Sequence, residues 1–137
     1  IEPGAPSPTR RLQAVKGLSE KGIFTGVVLM PVLPFLEDSV ENVLSVVDTA
    51  ADAGARFVYP AFGMTLRDRQ RAFYYEKLDR YFPGMKERYQ CVSPRAKLLW
   101  KAFAARCGER GLLYEMKHIV SAAQRPYGDR QLTFFDM

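Results

Sequence analysis

Glu37 and Asp38 stand side by side behind an apolar run, and two neighbouring carboxylates are the least that a general acid working with a general base requires. The same two residues immediately precede a helical pattern, where capping accounts for them more economically. His118 has no serine or cysteine nucleophile beside it and no HExxH-type spacing, so it reads as a surface or packing residue. Cys91 and Cys107 match no zinc-ligand spacing. Cys107 falls on an apolar helical face and reads as core; Cys91, in a polar connector, is the better candidate for a reactive thiol, though nothing local would lower its pKa. The glycines form neither GxGxxG nor GxxxxGK, so no phosphate-cradling loop is indicated. In TLRDRQRAFYYEKLDRYF, Arg67, Arg69 and Arg71 run into Phe73, Tyr74 and Tyr75. Arginines hold phosphates while an exposed ring stacks on a base, so these three are the candidate nucleic-acid contacts. The competing demand is that the rings are wanted for the helix's inner face.

The 137 residues have the length of one ordinary domain, and 47% apolar content is enough for a core. No apolar run approaches the ~20 residues of a membrane helix. The start is acidic and Pro-rich, unlike a secretory leader. Two cysteines are too few for a disulfide scaffold, which points to a reduced, cytoplasmic setting. Residues 1–66 hold five basic and seven acidic groups, and residues 67–137 hold fifteen and eight. A basic second half suits a polyanion, through counterion release, or simply a solvated surface.

The elements that would position these groups follow from punctuation and period. IEPGAPSP is a loop; Ser7 as N-cap and Pro8 at the first helical position open a helix with Leu12, Val15 and Leu18 on one face, closed by Gly22. Ile23–Met30 is a dense apolar run without alternation, fit for a strand buried on both faces, with Pro31 and Pro34 ending it. Asp38 or Ser39 caps a helix through Val40, Val43, Leu44 and Val47, stopped by Gly54. A short strand follows from about Arg56 to Tyr59. Strand, helix and strand at this spacing predict a parallel pair with a right-handed crossover. A third helix runs from Asp68 to about Phe82, with Phe73, Tyr74, Leu78, Tyr81 and Phe82 inward. MKERYQCV is a connector, Ser93 and Pro94 open a fourth helix ending near Cys107, LLYEM is a short strand or link, and HIVSAA is at most two turns. In parallel sheets ligands gather at the C-terminal ends of strands, which here means Glu2 with Pro3, Met30 to Pro34, Tyr59 to Gly63, and the turn at Thr65 to Asp68. Two strands leave exposed edges, which predicts self-association or a larger sheet.

The arrangement EPGAPSPTRRLQAVKGLSEKGIFTGVVLMPVLPFLEDS, then AADAGARFVYPAFGMTLRDRQ, resembles the C-terminal part of radical S-adenosylmethionine proteins of the spore-photoproduct-lyase-like, or DNA repair photolyase-like, group. The resemblance implies an α/β fold: a partial (β/α)6 barrel, a TIM-barrel relative, over residues 1–82, a helical extension over 83–125 and a tail over 126–137. It implies S-adenosylmethionine and a [4Fe–4S] iron–sulfur cluster in the complete protein, with neither held firmly by this chain, which lacks the C-x3-C-x2-C motif. Glu2 would approach the ribose or amino group, Met30 and Pro31 would line the cofactor cavity, and Tyr59, Pro60, Ala61 and Phe62 would hold the adenine. The expected function is that of an inactive C-terminal piece of a radical enzyme acting on DNA, whose first partner is the missing N-terminal half of the barrel. The abrupt IEPG start favours such a trimmed piece. A non-catalytic nucleic-acid-binding or protein-binding assembly module is the alternative. The tail QLTFF also resembles the peptide by which bacterial repair and replication proteins engage the sliding clamp. Gln131 would enter a polar subsite, and Leu132, Phe134 and Phe135 an apolar groove. The other reading is a tail folded onto its own domain.

Overall fold

The computed structural model describes residues 4–89 and 95–125. Ser7 Oγ accepts the Arg10 amide at 3.3 Å and starts helix α1, Pro8–Glu20. Strand β1 covers Gly26–Val32. Ser39 Oγ accepts the Asn42 amide at 3.1 Å and starts α2, Val40–Asp52. Strand β2 covers Phe57–Phe62. Helices α3 (Asp68–Tyr81), α4 (Met85–Tyr89), α5 (Arg95–Glu109) and α6 (Met116–Gln124) complete the described chain. The connector at 85–89 is thus helical rather than irregular; β1 runs past Pro31 and stops at Val32, before Pro34, and β2 runs beyond Tyr59 through Pro60 to Phe62. Each proline has only a missing donor to accommodate, and at an open sheet edge a missing donor costs little.

The two strands pair in parallel, with Gly26 opposite Phe57, Val27 opposite Val58, Val28 opposite Tyr59 and Leu29 opposite Pro60. Alternation puts Val27, Leu29, Val58 and Pro60 on one face. Helices α2 and α5 cover that face: Val43, Val47 and Ala50 from α2 meet Leu99, Phe103 and Cys107 from α5 around Val58. Leu12 and Val15 of α1 pack against the margin of this core. Salt bridges brace the outer seam of α2 and α5. Arg106 reaches Asp48 at 3.5 Å, and Arg110 engages both Asp48 and Asp52.

The (β/α)6 barrel does not hold for this chain. Among the described residues the sheet has two strands, in the order β1–β2, and the fold is mainly helical. Closing a barrel takes a ring of strands with no free edge. Among the described residues the far edge of β2 meets only Leu113, through a single bridge to Phe57, and the described chain after β2 forms helices α3 to α6 instead of further strands. No described helix is long and apolar enough to cross a membrane.

Candidate binding surface

The second sheet face, which carries Val28, Met30, Tyr59 and Ala61, has no helix over it among the described residues. Val28 is 59% exposed and Met30 44%. Phe57 is on the same face and stacks on Phe24 at 5.5 Å between ring centroids. A Cβ on Gly26 would run into the Phe57 carbonyl oxygen and lie 2.6 Å from its ring, so only glycine permits this approach. The residues proposed to line a cofactor cavity are therefore divided by the pleat. Met30, Tyr59 and Ala61 lie on the open face and Pro31 is exposed at the end of β1. Pro60 is buried, and Phe62 turns to the core, edge-on to Phe103 at 5.7 Å and Trp100 at 6.2 Å. Glu2 lies outside the described residues, as do Cys91, Gln131, Leu132, Phe134 and Phe135.

Glu37 and Asp38 serve the loop between β1 and α2. Glu37 Oε2 accepts the Leu33 amide at 3.1 Å and Asp38 Oδ1 accepts the Phe35 amide at 2.8 Å. This holds Phe35 at φ +62°, a conformation L residues seldom adopt, and Arg88 lies over its ring at 4.5 Å. Asp38 is buried and has Arg95 4.0 Å away. Both carboxylates act as acceptors for backbone donors, which is loop bracing rather than acid–base pairing. The nearby Tyr89 hydroxyl is 3.0 Å from that of Tyr74. Burial, then this hydrogen bond, then the charges of Asp38 and Glu37 hold its ionisation well above the ordinary phenol range. Burial pushes the Cys107 thiol up to about 12, so it is a core thiol and not a nucleophile.

Helix α3 departs most from its expected orientation. Only Leu78 is buried; Phe73 is 62% and Tyr81 64% exposed. Lys77 sits over the Phe73 ring at 5.1 Å and Arg80 over Tyr81 at 5.6 Å, so each ring is screened by a cation. Leu33, Leu36, Leu78 and Phe82 line an apolar groove of about 730 Å³ between α3 and the loop after β1. Its signal in the sequence is the surplus of apolar positions on α3 beyond those one inner stripe requires. Arg67, Arg69 and Arg71 cluster, exposed, at the start of α3, and among the described residues none of them meets a carboxylate.

The chain is similar to an uncharacterized protein of Mycobacterium bovis and to uncharacterized proteins of two Mycobacterium tuberculosis strains. Each is 30% identical over 126 residues, covering 92% of this chain and 37% of the relative. The chain thus spans little more than a third of the length of these relatives. No family model and no solved structure matches it. The radical S-adenosylmethionine resemblance is overturned by the architecture. The sheet is open and two-stranded, and among the described residues no group of three or more His, Cys, Asp or Glu side chains could hold a metal ion. The iron–sulfur lyase, DNA-repair enzyme and TIM-barrel readings that followed from that resemblance go with it. What remains is a small, mainly helical domain with two apolar surfaces that no element covers among the described residues.

Proposed function

We propose that this chain is a non-catalytic assembly module whose open sheet face packs against another protein layer. The observation that carries this reading is the exposure of Val28 and Met30 on the uncovered face of a parallel pair. Parallel strands are ordinarily covered on both faces, and fully burying one such side chain is worth roughly 1.5–3 kcal/mol. The occupant is further polypeptide of the kind the mycobacterial relatives possess outside the matched region, which is most of their length. For these 137 residues taken alone, a second copy offers another apolar surface, which also agrees with the edge of β1 that is unpaired among the described residues. Sedimentation velocity on the chain and on its Val28→Lys, Met30→Lys variant tests this. Self-association of the chain, abolished in a variant with an unchanged thermal transition, is the expected result. A chain that stays monomeric and binds no apolar dye would end the reading.

A second reading is favoured by Arg67, Arg69 and Arg71, which have no carboxylate partners among the described residues and share a helix with exposed rings. It expects weak binding of labelled single-stranded DNA that fades with added salt and disappears when all three arginines become Gln. DNA binding equal in the chain and the triple variant would remove it.

A further inference from the structure

A second cluster lies at the opposite end of the sheet, where β2 begins. Phe24 and Leu113 form the floor of a pocket of about 290 Å³, and Arg56, His118, Ser121 and Arg125 form its wall. The last three fall at i, i+3 and i+7 along α6 and its C-cap, one stripe of that helix. Among the described residues neither Arg56 nor Arg125 meets a carboxylate. Glu115 lies 3.6 Å from His118 Nδ1 and is shared with Lys117 at 3.4 Å.

Arg56 is fixed from both sides. Its amide donates to Thr25 O at 2.8 Å, and its carbonyl accepts the Leu113 amide at 3.0 Å. The guanidinium therefore projects from a backbone clamped between β1 and the 112–114 segment, which lowers the ordering cost of holding a ligand. The C-terminal end of α6 brings roughly half a negative charge to the same rim. Two permanent positive charges outweigh it, so the pocket remains anion-selective. Paired guanidinium groups match the oxygens of a phosphate or carboxylate by bidentate donation, and the Ser121 hydroxyl adds a rotatable donor. The Phe24 ring, stacked on Phe57, lines the same pocket and supplies a flat apolar surface. The volume is close to the lower limit for small-molecule sites, which excludes large ligands.

We propose that this pocket binds a phosphomonoester attached to a planar ring, the chemistry shared by a free mononucleotide and the 5′ end of a nucleic-acid strand. Arg56 and Arg125 take the phosphate and Phe24 takes the ring. The site is separate from the open sheet face and does not depend on the assembly reading.

Calorimetric titration of the whole chain with adenosine monophosphate, adenosine and a 5′-phosphorylated oligonucleotide tests it. Adenosine monophosphate is expected to bind, with affinity falling as salt is added, and adenosine to bind at least roughly tenfold more weakly. Arg56→Gln and Arg125→Gln should each bring adenosine monophosphate down to the level of adenosine. Both side chains are exposed, so the thermal transition should stay in place, and Arg125→Lys should retain part of the affinity. Tighter binding of the phosphorylated oligonucleotide than of its unphosphorylated form would support a strand end as the source, and binding of the mononucleotide alone would support a free nucleotide. Equal binding of adenosine monophosphate and adenosine, or full affinity in the Arg56→Gln, Arg125→Gln double variant, would overturn the proposal.

Discussion

Cys107 has no exposed surface and sits among Val43, Val47 and Phe103, where a thiolate has neither solvent nor a counter-charge. Its raised pKa has a definite consequence for stability. The unfolded thiol ionises from about pH 9, while the folded one holds its proton to about 12, so above pH 9 the native state binds more protons than the unfolded state. Stability contributed by this group is therefore complete below pH 9 and declines by about 1.4 kcal/mol per pH unit between the two values. Urea melts of a Cys91→Ser chain from pH 8 to 11 should show this decline, and a Cys107→Ala version a shallower one. The same Cys91→Ser chain should resist thiol reagents when native and react fully in denaturant. Gly26 is the corresponding case for backbone approach. Gly26→Ala forces a methyl into the Phe57 carbonyl oxygen as well as its ring and is expected to cost about 1–3 kcal/mol in urea unfolding.

Among elements, α1 and α2 have the same kind of cap but different energetic roles. Ser39→Ala removes an acceptor from a helix that buries Val43, Val47 and Ala50, and should lower global stability by about 1 kcal/mol. Ser7→Ala removes the equivalent bond from a helix with no buried residue, so it should fray α1 locally. Hydrogen exchange separates the outcomes: the first change accelerates core amides, the second only those of α1. Helix α3 shows what periodicity omits. Its rings occur at helical spacing, yet among the described residues no element packs over Phe73 and Tyr81, which stay largely exposed with Lys77 and Arg80 beside them.

At the scale of the molecule, α5 belongs to the same core as the strand–helix–strand unit, because Phe103 touches the cluster that contains Val32, Val43 and Val58. Phe103→Ala should therefore cost about 3–5 kcal/mol and leave a single unfolding transition by circular dichroism and by tryptophan fluorescence. Two separated transitions would mean that residues 95–125 fold as a unit of their own. The uneven charge of the chain also acts at this scale. The excess of Lys and Arg beyond residue 66 includes Arg106 and Arg110, which are spent on Asp48 and Asp52 across the α2–α5 seam. Net charge by halves therefore overstates the cationic surface available to a polyanion.

Local chemistry in the sequence was sufficient for the cap at Ser7, for a cap at Asp38 or Ser39, the break near Gly54, the parallel pairing of two apolar runs through a helix, and the core role of Cys107. Those features depend on neighbours a few residues away and on burial that any compact fold would impose. Whether the sheet closes, which face of it stays open, where the rings of α3 point, and that Arg56 and Arg125 line one pocket are decided by packing between distant segments. Apolar periodicity states that a face must be covered but not by what, so a half-covered parallel pair and a fragment of a barrel look alike until the tertiary neighbours are in place.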